Sequence, residues 1–311
     1  MSGRTPKRAR SSVKLSGGTS CSPAQVELWR KGTLCDVTVT SGEVAFPAHK
    51  LVLAAGSSTL RGLLTSEMCD SEQPSLPSVP ADAFSVVLEW LYTGASEAEE
   101  SLLPELLRVA NYLDVPGLKD AIVVALQKRL CPENALDLWG LGDHLVAPAL
   151  AESAKRVALA HFEELKDCLA AAPVDHVQAL LSDERLVASS EEVVFTPVAR
   201  LVEAQNLEEG TMLELMRHVR FACMRREFLE QTVYTWPQLQ TVGGSNMLRD
   251  SFMPIAIDEA PRTRRLTPQQ VSDGYVLGHY TWTIEMFSKQ TERILQSPCF
   301  ASGPFSWCVR P

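Results

Sequence analysis

No run of eighteen apolar residues occurs in the 311-residue chain, so no segment is expected to cross a membrane as a helix. The basic N-terminus has no apolar stretch behind it, and a secretory signal is not expected either. The chain holds eight cysteines, yet no two form a C-x-x-C pair. Cys21, Cys35, Cys69, Cys131, Cys168, Cys223, Cys299 and Cys308 sit mostly in apolar or helical stretches, as reduced structural thiols of the cytosol or nucleus do. Missing as well are H-E-x-x-H, G-x-S-x-G and the Walker and Rossmann glycine loops. The six histidines (49, 144, 161, 176, 218 and 279) lack ligand spacing, and Cys299 and Cys308 lack the partners of a zinc site. No catalytic residue, metal or cofactor is therefore expected, although a triad assembled only in space would leave no such trace.

Acidic residues are absent from the first twenty positions, which carry Arg4, Lys7, Arg8, Arg10 and Lys14. The remaining chain then holds 24 basic residues against 38 acidic ones, a net of −14 inside an overall −9. A body this acidic is not expected to bind nucleic acid directly. Residues 1 to 22 are polar and aperiodic, so an unstructured tail is expected there. Within it, Pro6-Lys7-Arg8-Ala9-Arg10 reads either as a nuclear localisation patch or as a plain solvated basic run.

The most informative stretch is residues 34 to 64, LCDVTVTSGEVAFPAHKLVLAAGSSTLRGLL. Val37 and Val39 alternate with Asp36, Thr38 and Thr40, Ser41-Gly42 supplies a turn, and Val44 and Phe46 alternate again. This is a β-hairpin over 36 to 47, closed by Pro47, which has no N–H for a ladder. A short buried helix should follow over 49 to 55, with Gly56 as its C-cap. Ser57 or Ser58 should cap a further helix whose Leu60, Leu63 and Leu64 share one face.

These residues resemble the start of a BTB (POZ) domain: a Leu34-Cys35-Asp36-Val37 strand, a hairpin, then Phe46-x-Ala48-His49-Lys50-x-Val52-Leu53-Ala54-Ala55-x-Ser57. Leu60 departs from the family, which usually has phenylalanine three residues after the serine; an apolar anchor is kept at smaller volume. His49, within this motif, is expected to make structural hydrogen bonds. Pro23 to Arg30 reads as a short helix with Val26, Leu28 and Trp29 among polar residues. The resemblance implies that this helix packs across a two-fold dimer interface; the alternative is that it folds back on its own core. Asp36 and Lys50 match the family's paired acid and base near that interface, and a salt bridge between them is expected.

Residues 65 to 74 are polar and rich in breakers, hence an exposed loop. BTB proteins that bind cullin-3 carry here a hydrophobic residue, any residue, then an acid, and Met68-Cys69-Asp70 looks like that motif, with Asp where Glu is commoner. The methionine would offer a flexible apolar knob and the acid an orientation; the bland alternative is an inert loop. Phe84, Val87, Leu88 and Leu91 then recur at helical spacing up to Gly94, in text similar to a BTB helix ending Leu91-Tyr92-Thr93-Gly94. Leu103, Leu106, Leu107, Ala110 and Leu113 form the next stripe, and residues 118 to 130 another helix.

From Cys131, the text PENALDLWGLGD resembles the opening of a BACK domain, the helical extension of many BTB domains. Pro132 suits the first helical turn, and Ala135, Leu138 and Trp139 share a face. A long helix should follow through Ala154, Val157, Ala158, His161, Phe162 and Leu165, with His161 a satisfied core histidine. Ser189-x-x-Glu192 reads as a capping box, and residues 213 to 240 fit the last BACK helices. Residues 242 to 278 look like a linker. In residues 279 to 311, Trp282, Ile284, Phe287, Phe300 and Trp307 resemble the first strands of a MATH (TRAF-like) β-sandwich, cut before it can bury its faces.

The expected fold is thus an α+β BTB domain, a small β-sheet flanked by helices, over 23 to 130. An all-α BACK domain over 131 to 241 and an incomplete β-sandwich start complete it. The resemblance implies a dimeric substrate-adaptor subunit of a cullin-3 RING E3 ubiquitin ligase, in the cytoplasm or nucleus, itself without enzymatic chemistry. Its partners would be cullin-3, a second copy of itself and an unknown protein substrate, with no membrane. The alternative is a dimeric scaffold or transcriptional regulator that does not bind cullin.

Overall fold

The computed structural model describes residues 11 to 65 and 74 to 251, together with the backbone of two short strands near the C-terminus. It divides into two compact units, Met1–Ala158 and Leu159–Pro311. Elements run β1 (Ser12–Ser16), α1 (Pro23–Arg30), β2 (Val37–Ser41), β3 (Val44–Ala48), α2 (Lys50–Gly56), α3 (Ser58–Thr65), β4 (Ser75–Leu76), α4 (Ala81–Thr93) and β5 (Ala95–Glu99). Helices α5 (Leu103–Tyr112), α6 (Pro116–Gln127), α7 (Pro132–His144) and α8 (Pro148–Ala160) follow.

The hairpin forms as its alternation demands, with Val37 against Ala48 and Ser41 against Val44. Val37, Val39 and Ser41 face the core and the residues between them do not. Pro47 lies within β3 opposite Thr38 rather than ending it. The sheet order β3-β2-β4 makes β3 an edge, where a missing N–H leaves no neighbour unpaired. Strand β4 joins β2 in parallel, and Ser41 Oγ donates to the Val79 carbonyl at 2.6 Å, which satisfies the hydroxyl in its buried position.

Helix α4 carries the centre of this unit: Phe84, Val87, Leu88, Trp90 and Tyr92 are all buried. It stops at Gly94, whose φ of 69° is left-handed and whose Cβ, if present, would meet the Gly18 carbonyl oxygen at 2.4 Å. Gly56 works differently. It is the last residue of α2 with Ser57 as the cap, and a Cβ there would strike Leu91 Cδ2 at 2.3 Å. Close packing of α2 against the Leu91 side chain of α4, not a left-handed turn, favours glycine there. Ser57 Oγ then accepts the Leu60 amide at 3.0 Å and starts α3.

Two expectations about the chain's flanks do not hold. Residues 12 to 16, placed above in an unstructured tail, form β1, antiparallel to β5 with Val13 opposite Ala98 and Leu15 opposite Ser96. Val13 and Leu15 are buried while Ser12, Lys14 and Ser16 are exposed. Residues 242 to 251, placed in a linker, form helix α13 (Val242–Ser251), whose start is held by the Gly244 amide donating to Thr241 Oγ1 at 3.0 Å. The first compact unit takes in α7 and most of α8 as well. Lys119 Nζ on α6 donates to the Leu145 carbonyl at 2.7 Å, and Gln127 Nε2 to the Ala149 carbonyl at 2.8 Å, tying α7 and α8 to α6.

The second unit holds α9 (Val174–Leu181), α10 (Glu191–Gln205), α11 (Glu209–Met216), the single turn α12 (Arg226–Phe228) running into a π-type turn at Leu229–Val233, and α13. Phe195 sits at its centre, with the rings of Trp236, Phe228 and Phe221 edge-on at 5.5, 5.9 and 6.1 Å. The expected capping box does not form: Ser190, not Ser189, caps α10. Glu163 takes the Ser189 amide, and Glu192 accepts from the Arg225 backbone at 3.0 Å and from Arg225 Nε at 3.1 Å. His161 is no core residue. Helix α8 ends at Ala160, and His161 is exposed, with Nδ1 2.8 Å from Glu164 Oε1. A 3-10 turn over Phe162–Leu165 keeps Phe162 and Leu165 buried at i, i+3, so the apolar stripe outlives the helix.

Of the stretch 279 to 311, only β6 (Phe300–Ser302) and β7 (Phe305–Trp307) are described, an antiparallel pair with Phe300 opposite Trp307. Trp282, Ile284 and Phe287 lie outside the described residues.

Candidate functional site

Helix α1 starts from a complete capping box. Ser22 Oγ accepts the Gln25 amide at 3.4 Å and Gln25 Oε1 accepts the Ser22 amide at 2.9 Å, with Pro23 in the first turn. The cap fixes where the helix begins, yet no residue of α1 is buried. Val26, Leu28 and Trp29 are each only half-buried. One face of the Trp29 ring is covered by Tyr92 of α4, stacked at 4.3 Å between centroids and 2° between planes.

Beneath that stack lies a hydrogen-bonded chain. The His49 amide donates to Tyr92 Oη at 2.8 Å, Tyr92 Oη is 2.8 Å from His49 Nδ1, and His49 Nε2 is 3.3 Å from the Thr33 carbonyl. One tautomer satisfies all three contacts: Nε2–H donates to Thr33, and Tyr92 O–H donates to Nδ1. Burial pushes the Tyr92 hydroxyl up to about 12, against the lowering effect of the His49 amide, and the nearby Cys35, Cys21 and Asp36 push it the same way. The phenol therefore stays a donor at any physiological pH. The structural role expected for His49 is what these bonds describe; Tyr92 as its partner was not anticipated.

Asp36 and Lys50 do meet, but not as a side-chain ion pair. Asp36 Oδ1 accepts the backbone amide of Lys50 at 2.7 Å. The first N–H groups of α2 have no partner within the helix, and the N-cap His49 makes no side-chain capping bond. The carboxylate fills that role. Leu34 and Leu51 flank this contact in the chain and are 76% and 77% exposed, Leu34 in a left-handed conformation with φ 60°. A groove of about 530 Å³ beside α1 is lined by Gly18, Cys21, Gln25, Leu51, Trp90 and Pro116 among others.

Of the sequence-predicted dimer residues, Val26, Leu28 and Trp29 lie half-buried along α1, and Asp36 bonds to the Lys50 amide at the start of α2, next to exposed Leu51. Met68, Cys69 and Asp70 lie outside the described residues, between the end of α3 and the start of β4. Cys168 and Cys223 are exposed, while Cys21, Cys35 and Cys131 are partly covered and burial pushes their thiols up. Among the described residues, no group of three His, Cys, Asp or Glu side chains is placed to hold a metal ion, and no helix is long and apolar enough to cross a membrane.

Comparison with known proteins places two family models on the chain: BTB/POZ domain over residues 26–130, and BTB And C-terminal Kelch, or BACK, over residues 135–234. Kelch-like protein 3 of Pongo abelii is 33% identical over 215 residues, covering 67% of this chain and 36% of its own length. Kelch-like protein 2 of Rattus norvegicus is 30% identical over 212 residues, with the same two shares. The chain therefore spans little more than a third of the length of these curated relatives. Among solved structures, the BTB domain of zebrafish PATZ1 aligns at 24% identity and a TM-score of 0.31, covering 34% of this chain and 86% of that one.

Proposed function

This chain carries a BTB/POZ domain followed by a BACK domain, both protein-interaction domains, and from that premise we propose that it is a dimeric adaptor for a cullin-3 ubiquitin ligase. The observation that carries the reading is α1: a well-capped helix with Val26, Leu28 and Trp29 along it and no residue buried within its own chain. Half-covered apolar side chains on α1, together with exposed Leu34 and Leu51, support a surface that a second copy would cover. The loop after α3 would then present Met68 and Asp70 to the scaffold, Met68 as an apolar knob and Asp70 as an orienting charge. The part that reads the substrate would follow α13, in the stretch whose sequence resembles the first strands of a MATH domain.

Such an adaptor makes and breaks no bond. It raises the local concentration of a bound substrate beside a ubiquitin-transferring enzyme, and dimerisation adds avidity. Light scattering on a size-exclusion column tests the reading, with the full chain alone and with the cullin-3 N-terminal domain. A dimer mass that grows in the presence of cullin-3, and does not grow with Asp70→Lys or Met68→Ala, supports it. A dimer indifferent to cullin-3 leaves a scaffold or transcriptional regulator in its place. A monomer removes both.

A further inference from the structure

Strand β1 has one paired edge and one open edge. The Ser11 carbonyl accepts the Glu100 amide at 3.1 Å, and the register continues with Val13 opposite Ala98 and Leu15 opposite Ser96. Hydrogen-bonded positions alternate along an antiparallel pair, so Val13 and Leu15 bond to β5. The N–H and C=O groups of Ser12, Lys14 and Ser16 then point the other way. The sheet holds only β1 and β5, and among the described strands none takes up those outward groups. Beside this edge runs a groove of about 580 Å³, lined by every residue from Ser12 to Gly17. Core-facing and solvent-facing residues both take part, which is what a strand presents edge-on.

The other wall of the groove is α6, and both of its ends are placed. A Cβ on Gly18 or on Gly117 would lie 2.8 or 3.7 Å from the Trp90 ring, so these two glycines share one end. At the other end Arg129 Nε is 3.1 Å from the carboxylate of Glu100, whose amide bonds to Ser11. Helix α6 therefore runs antiparallel to β1. Three exposed residues of α6 line the groove at i, i+4 and i+8: Asp120, Val124 and Lys128. Val124 is 48% exposed. Arg129 is paired with Glu100, whereas neither Asp120 nor Lys128 has an ion-pair partner among the described residues.

We propose that this groove takes an extended segment of a partner protein by strand addition to β1, and that α6 selects the order basic, any, apolar, any, acidic. The outward groups of Ser12, Lys14 and Ser16 supply main-chain hydrogen bonds whatever the sequence. A strand antiparallel to β1 runs parallel to α6. Its side chains on the sheet face that holds Val13 and Leu15 turn towards that helix. The spacings agree: eight residues of helix rise about 12 Å, and four residues of strand about 13 Å. Asp120 then meets the basic residue, Val124 the apolar one and Lys128 the acidic one. The reversed order puts like charges together at both ends. None of these residues belongs to α1 or to the stretch 68 to 70, so the site stands apart from dimerisation and cullin-3.

The test uses the full chain and two fluorescent peptides, TKTVTET and TETVTKT, which differ only in the order of their charges. Affinity is read by anisotropy, and amide exchange of the chain by NMR with and without peptide. Expected is binding of TKTVTET roughly tenfold tighter than TETVTKT. The Asp120→Lys/Lys128→Asp variant should invert that preference, and Val124→Asp should abolish binding of both peptides. All three positions are exposed, so the variants should melt as the unmodified chain does. Bound TKTVTET should slow exchange at Ser12, Lys14 and Ser16 by roughly tenfold or more, with less change at Val13 and Leu15, which already bond to β5. Equal affinity for the two peptides, or a preference that the charge swap fails to invert, overturns the selection by α6. Failure of both to bind, or binding that leaves exchange at Ser12, Lys14 and Ser16 unchanged, overturns the site itself.

Discussion

The Trp29 indole lies flat on the Tyr92 ring, 4.3 Å between centroids and 2° from parallel, and Tyr92 is fully buried while Trp29 is half-exposed. One ring belongs to the core of α4 and the other to a helix with no core of its own. Substitutions at the two positions should therefore separate folding from association.

Trp29→Ala should leave folding nearly intact, with a loss of about 0.5–1.5 kcal/mol from the missing ring pair. The mass in solution should change far more, from dimer towards monomer. Chemical unfolding and light scattering of the same sample check the two halves. A dimer as tight as the unmodified chain's would remove α1 from the interface.

Tyr92→Phe should do the reverse. The stack with Trp29 survives, but the His49 amide and ring lose the hydroxyl that accepts from one and donates to the other. Leaving buried polar groups unpaired costs about 1–3 kcal/mol, to be read as a lower denaturation midpoint with unchanged slope. His49→Phe should cost a similar amount, and the double variant less than the sum, because both remove the bond between Nδ1 and the hydroxyl.

Gly94→Ala should destabilise by about 1 kcal/mol from the left-handed backbone alone. The added methyl also meets the Gly18 carbonyl, a backbone atom that can yield only if the segment leading from β1 moves. A fall in melting temperature together with faster amide exchange at residues 12 to 18 is the expected pattern; at Gly62, where nothing lies near, alanine should be tolerated.

Acid should weaken the second unit through Glu192. Burial raises its pKa, but the Ser190 hydroxyl, the Arg225 amide and Arg225 Nε outweigh that and hold it at about 2, below the ordinary 4.5. A depressed carboxylate contributes stability that is fully present above pH 4.5 and is lost as the pH falls towards 2. The effect is about 3 kcal/mol at most. Glu192→Gln should flatten the stability profile between pH 5 and 2. Arg225→Ala should largely preserve it, since that side chain is 79% exposed and its backbone amide remains.

What local pattern encodes was legible without coordinates. The hairpin, α4 with its terminal Gly94, the capped α3 and the α5 stripe follow from period, caps and breakers within a few residues of one another. The same local logic misled where a pattern continued past its element. His161 shared a stripe with Phe162 and Leu165 because a 3-10 turn repeats every third residue. Ser189 stood at capping-box spacing, yet Glu163, distant in sequence, took its amide. The alternation Val13-Lys14-Leu15 was a strand signal, but too short to outweigh its polar surroundings until β5 supplied a partner eighty residues on.

By itself, the sequence determined the order of elements, the residues of the core and the BTB-like and BACK-like character of the two domains. These depend on side-chain period and on backbone preferences carried by each residue. Only the tertiary structure decided that Asp36 caps α2 instead of pairing with the Lys50 ammonium, and that Gly56 exists to admit Leu91. It alone decided that half-buried Trp29 rests on Tyr92. Each of these depends on which atoms distant in the chain arrive in contact with one another, and no spacing along the chain records that.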